Sequence, residues 1–135
     1  MVGISTKGTY AIAAMYALSK SSSQKKLMQI KEISAVTQIS HGYLEQILSS
    51  LKKADLVLSI RGVNGGYRLA RDSSEINVLE IVETLEGKLF VPGENLGASV
   101  VLDSFWLDVQ TRVREIFDVK LSELDSSYQM YFYEI

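Results

Sequence analysis

The sequence predicts a mainly α-helical chain: a winged helix-turn-helix with a small β-hairpin wing, followed by a long C-terminal helix. Three observations predict it. Two short apolar-striped segments meet at a tight turn between residues 37 and 40. A glycine-rich turn flanked by Arg61 and Arg68 comes directly after them. Farther on, Leu102, Trp106, Val109, Val113 and Ile116 recur at intervals of four, three, four and three residues, the spacing of a coiled-coil seam. The expected organisation is a winged module over 1–86, a loop over 87–98, and an interaction helix with a tail over 99–135.

The first helix is expected from about Ser5 to Lys20. Ile4, Ala11, Ala14, Met15 and Leu18 fall near one face, and Ser5 or Thr6 can cap its first turn. Ser21-Ser22-Ser23 reads as a loop. A second helix fits Met28 to Thr37, with Ile30, Ile33 and Val36 inward. The third begins at Ser40 and sends Tyr43, Leu44, Ile47, Leu48 and Leu51 to a core. Its free side then carries Gly42, Glu45, Gln46, Ser49, Ser50, Lys52 and Lys53, a polar and basic face suited to a groove.

Leu56 to Arg61 and Tyr67 to Ala70 form the expected hairpin, with Asn64-Gly65 supplying the positive φ angles of its turn. A phosphate-cradling role for Gly62, Gly65 and Gly66 is disfavoured, because their spacing fits no nucleotide fingerprint and no helix opens after Gly66. Asn77 or Ser74 can cap a fourth helix that ends near Gly87, and Lys88 to Ala98 reads as a loop. The long helix is expected from about Ser99 to Lys120, widened by Phe105 and Phe117. It has more apolar face than so small a chain can hide, which predicts an isologous dimer interface through Leu102, Phe105, Trp106, Val109, Val113 and Ile116.

Composition sets the limits. The 135 residues are 47% hydrophobic and 22% charged, enough for one modest core. There is no cysteine and one histidine, His41, which excludes disulfides, thiolate-held clusters, thiol nucleophiles and multi-histidine metal sites. The longest apolar run, Tyr10 to Leu18, is too short to span a bilayer, and the first residues lack a signal-peptide layout, so a soluble cytoplasmic chain is expected. The formal charge of −2 hides an asymmetry: ten Lys/Arg against three acids up to Arg71, net +7, then four against thirteen, net −9. A basic front half suggests a polyanionic partner. An enzyme is not expected, because one histidine gives no nucleophile set, and Glu80, Glu83 and Glu86 read as solvated surface.

Ser5-Thr6-Lys7-Gly8-Thr9-Tyr10-Ala11, Ile39-Ser40-His41-Gly42-Tyr43-Leu44-Glu45-Gln46-Ile47, and Arg61-Gly62 with Gly65-Gly66-Tyr67-Arg68-Leu69 together resemble the Rrf2-type winged-helix transcriptional regulators. The resemblance implies binding to double-stranded DNA at a pseudo-palindromic operator by a homodimer. It puts Gly42, Glu45 and Gln46 nearest base edges, Gln46 on an adenine and Glu45 on a cytosine. Arg61 would enter the minor groove. Lys7, Tyr10, Tyr43, Lys52 and Lys53 would meet phosphates, with Ser40, Ser49, Asn64 and Arg68 on the same surface. His41 is either a phosphate or solvent contact or an inert turn residue. Cluster-binding members carry three cysteines where this chain has Phe90, Pro92, Glu94 and Asn95, so no cofactor is expected. That resemblance favours the cluster-free, cysteine-metabolism repressors. The aromatic end, closing on Tyr133, Glu134 and Ile135, would then either seal the dimer or enter cysteine synthase (O-acetylserine sulfhydrylase) as a C-terminal ligand. The alternatives are a regulator of another pathway with a small-molecule effector, and a protein-interaction adaptor.

Overall fold

Helix α1 (Thr6–Ser22) is the axis on which the other elements pack in the computed structural model, which describes residues 4–22, 26–89 and 99–128. Ala11, Ala14, Met15 and Leu18 are fully buried, as their spacing requires. Alanines at 11, 14 and 17 put only a methyl group between this backbone and its neighbours, so α2 (Ile30–Thr37), α3 (His41–Lys53), β2 (Gly66–Leu69) and α4 (Val78–Glu86) all gather around it.

Helix α2 starts at Ile30, not Met28. The Gln29 N–H donates to Glu32 Oε1 at 3.1 Å, the backward half of a capping box. Ile33 is buried and Ile30 half-buried, but Val36 is 66% exposed rather than inward. Each three-residue step turns a helical position by about 60° off its stripe, so the third member of the 30–33–36 series has rotated into solvent. Gln38 then takes the left-handed conformation (φ 65°), Ile39 plugs the core, and the Ser40 hydroxyl caps α3 by accepting from the Tyr43 N–H at 3.4 Å. Leu44, Ile47, Leu48 and Leu51 anchor α3 inward.

Strands β1 (Val57–Ile60) and β2 pair antiparallel, Val57 against Leu69 and Ile60 against Gly66. Five residues connect them, more than a two-residue Asn64-Gly65 turn allows. The positive φ angles therefore fall on Gly62 (115°) and Gly66 (154°), not on Asn64 or Gly65, and the Gly65 N–H closes the tip on the Gly62 carbonyl at 3.0 Å. Met28 bridges the other side of β2: its N–H donates to the Tyr67 carbonyl at 2.9 Å, and the Tyr67 N–H donates to the Met28 carbonyl at 2.7 Å. A Cβ on Gly66 would lie 2.7 Å from that Met28 oxygen, so the wing can dock here only with glycine at this position.

Asn77 caps α4 through the Leu79 N–H at 2.9 Å, and Val78, Ile81 and Val82 bury its inner face. The three glutamates of α4 are not idle surface, as the sequence suggested; each holds another segment. Glu80 pairs with Arg71 at 2.8 Å. Glu83 takes a two-pronged contact from Arg114 of α5 (Val100–Phe117), at 2.7 and 3.3 Å. Glu86 Oε1 accepts from the Ser5 N–H at 3.0 Å, the Gly8 N–H at 2.9 Å and the Ser5 hydroxyl. Helix α5 itself buries no residue. After it the chain returns to α1. The Val78 N–H donates to the Val119 carbonyl, the Leu121 N–H to the Ile76 carbonyl, and the Leu121 side chain enters the core. Asp125, on the short α6 (Leu124–Tyr128), accepts from Tyr16 and Lys20. The aromatic end after Tyr128 and the loop from residue 90 to 98 lie outside the described residues.

Burial pushes the Glu83 carboxyl up, but the Arg114 guanidinium and the Leu89 N–H together hold it below the ordinary glutamate range. At Glu86 the Ser5 hydroxyl leads the same downward shift, against the opposing effect of burial. A carboxyl depressed in the native state contributes stability above its unfolded pKa, about 4.3 for glutamate, and loses it as pH falls through the native value. Melting temperature should therefore fall on acidification below about pH 5, and fall less in a Glu83→Gln/Glu86→Gln double variant. Parallel melting curves for the two proteins would refute this origin of acid sensitivity.

Candidate nucleic-acid interface

One surface of the module collects most of the residues singled out from the sequence. Along α3, His41, Gly42, Glu45, Gln46, Ser49, Lys52 and Lys53 are exposed while the opposite stripe is buried. Ser40 caps the helix, and Gly42 sits in its first turn with nothing within 4 Å of where a Cβ would be. The space beside Gly42 at the start of the helix is therefore unobstructed.

The wing stands beside the far end of α3. Lys52 and Arg61 line one groove of about 490 Å³ together with Gln29, Ser59, Gly62 and Tyr67. Arg61 and Asn64 are exposed in the hairpin loop, and Arg68 is exposed on β2 opposite Leu58. The tip residue Val63 is 92% exposed. Its carbonyl accepts from Gln29 Nε2 at 3.4 Å, which ties the tip to the start of α2. Sequence reasoning missed Gln29; the Gln29–Glu32 spacing of a capping box was the signal that could have found it.

The start of α1 forms the other flank. Lys7 is exposed on its first turn, and the Tyr10 ring meets the Tyr43 ring edge-to-face, centroids 5.4 Å apart at 79°. Two helix starts that are far apart in sequence are thereby locked together.

Charge is distributed to match. Lys20, Lys26 and Arg71 of the basic half pair with Asp125, Glu32 and Glu80. Lys7, Lys52, Lys53, Arg61 and Arg68 form no ion pair with any described residue. Five cations without an ion pair among the described residues, set around an exposed helix face and a hairpin, form a surface suited to a nucleic-acid backbone.

The second feature is α5. Leu102, Phe105, Trp106 and Ile116 are between 53% and 66% exposed, and Val109 and Val113 are half-buried. Val100, Val101 and Leu107, outside the predicted seam, are exposed as well, so the apolar surface is a broad band rather than a narrow stripe. No helix among the described residues is long and apolar enough to cross a membrane.

These features define a winged helix-turn-helix module with a helical extension, the class of DNA-binding transcription regulators. Residues 4–124 match the Rrf2 family, described as iron-dependent transcriptional regulators, and the chain belongs to that family. It is 35% identical over 126 residues to the HTH-type transcriptional regulator CymR of Bacillus subtilis, covering 93% of this chain and 90% of that one. It is 34% identical over 131 residues to the regulator IscR of Vibrio atlanticus, covering 90% of this chain and 73% of that protein. In three dimensions it matches the structure of CymR, the global cysteine regulator of B. subtilis, with a TM-score of 0.85 at 32% identity, over 94% and 98% of the two chains. It matches IscR of T. potens at 0.78 and 33%, over 97% and 96%. Family members are transcriptional regulators and not enzymes.

The family description implies iron, and the donor set does not fit it. The chain has no cysteine and one histidine, and no three metal-binding side chains cluster among the described residues. A thiolate-held cluster has no ligands here.

Proposed function

We propose that the chain is a homodimeric repressor that reads a pseudo-palindromic operator with paired α3 helices and wings, in the cluster-free manner of a cysteine-metabolism regulator. The observation that carries the DNA reading is the shared groove of Lys52 and Arg61, which continues the exposed face of α3 into the wing. Along the exposed face of α3, Gly42, Glu45 and Gln46 face the major-groove edges of the bases. Arg61 enters the minor groove, and Lys7, Tyr10, Tyr43, Ser49, Lys52, Lys53, Asn64 and Arg68 border phosphates.

The exposed band on α5 supports the dimer, since an 18-residue helix with no buried residue needs a second surface. A two-fold axis between paired α5 helices would pair like with like and set two α3 helices against two half-sites. The missing cysteines, together with the likeness to CymR over nine-tenths of both chains, support a sulfur-linked role over cluster sensing. We propose further that the segment of Tyr133, Glu134 and Ile135 engages cysteine synthase, its aromatic and apolar side chains filling a pocket there, with sealing of the dimer as the competing role.

Genomic fragments retained by the purified protein would name the regulon; fragments confined to genes outside sulfur metabolism would overturn that assignment. On a retained fragment, log affinity should fall linearly with log salt. Arg61→Ala should weaken binding by about 1–3 kcal/mol with the dimer intact. Unchanged affinity would remove Arg61 from the interface. Trp106→Glu places a charge in the seam and should give monomers by sedimentation, with a parallel loss of operator affinity; a stable dimer would refute the α5 interface. Deleting Ile135 should abolish retention on immobilised cysteine synthase and leave free-protein DNA binding unchanged. Retention indifferent to the deletion would eliminate the tail reading.

A further inference from the structure

Three donors converge on one oxygen at the join between α4 and α1. The Ser5 N–H, the Gly8 N–H and the Ser5 hydroxyl all reach Glu86 Oε1. Ser5 immediately precedes α1 and Gly8 lies in its first turn, where no earlier residue of the helix can accept from these amides, and a carboxylate there also complements the positive end of the helix dipole. The absent side chain of Gly8 is what admits it. A Cβ at that position would lie 2.8 Å from Glu86 Oε1 and 2.7 Å from Ile4 Cγ2.

The clasped turn is also part of the basic surface. Lys7 lies between the two anchored residues, exposed and close enough to Glu86 to help hold its carboxyl ionised. Tyr10, one turn on, rests on Tyr43 at the start of α3. We infer that Glu86, which lies outside the proposed DNA-contact set, is a positioning residue for duplex binding: its carboxylate fixes the first turn of α1 so that Lys7 and Tyr10 are held in register with α3. The inference rests on the DNA reading of the preceding subsection. Glu86 is the last residue of α4, and Gly87 ends that helix. The clasp therefore ties the flank of the interface to the point where the chain leaves for α5.

Charge and anchoring make opposite demands. As a charge, a carboxylate beside Lys7 repels phosphate, so removing it should tighten binding. As an anchor, removing it frees Lys7 and should loosen binding. The test uses the full chain and a duplex that the wild type selects from a random-sequence pool. Glu86→Ala should bind about tenfold more weakly, whereas Glu86→Gln, which keeps the acceptor oxygen, should stay within about threefold of wild type or bind more tightly. In a double-mutant cycle, Lys7→Ala should cost clearly less in the Glu86→Ala background than in wild type. Circular dichroism and a melting curve show whether each variant is folded. If Glu86→Ala does not fold, Gly8→Ala, which displaces the same carboxylate from the other side, replaces it in the cycle. An alanine variant that binds as well as wild type or better, or losses that simply add, would overturn the inference. If the wild type selects no duplex at all, the DNA reading fails first and the inference goes with it.

Discussion

The burial of α1 is the constraint on which the remaining structure depends. Its inner stripe of Ala11, Ala14, Met15, Ala17 and Leu18 is contacted by α2, α3, α4, β2 and the returning segment at Leu121. Small residues let several backbones approach at once, and Met15 and Leu18 fill the space between them. Every part of the basic surface is positioned from this one helix. The start of α3 is held by Tyr43 on Tyr10, and the wing lies over α1 through β2. The acidic half is fastened to it by Glu86 at one end and Asp125 at the other.

The elements that the sequence made legible are those with a local physical signature. The face of α3 was readable because Leu44, Ile47, Leu48 and Leu51 repeat at helical spacing and leave a polar remainder. The caps at Ser40 and Asn77 and the stop at Gly87 were readable from residue type. What escaped depends on partners distant in the chain. The hairpin and its five-residue turn were legible, but the positive φ angles expected at Asn64-Gly65 fall on Gly62 and Gly66, because the Asn-Gly preference belongs to two-residue turns and here five residues connect the strands. Glu80, Glu83 and Glu86 looked alike as a charged helical face, yet their partners lie 9, 31 and up to 81 residues away. The Met28–Tyr67 bridge has no sequence pattern, since any residue with a backbone can make it.

The charge asymmetry of the sequence has a clear meaning in the fold. Acids of the rear half pair with two cations of the front half, Lys20 with Asp125 and Arg71 with Glu80. The cations around α3 and the wing form no ion pair among the described residues. Net charge over the whole chain, −2, says nothing of this; the distribution does.

The paired hydrogen bonds between Met28 and Tyr67 have one further consequence. They make β2 continuous with the entry to α2, so the hairpin cannot swing independently of the helix pair. On the proposed reading of the interface, α3 and the wing would act as a caliper with fixed jaws. A duplex gripped by both jaws must supply the adjustment itself, by narrowing a groove or bending at a yielding base step, and that deformation costs less in some sequences than in others. Discrimination among operators would then arise partly at base pairs the protein never touches, through the stiffness of the DNA between the jaws.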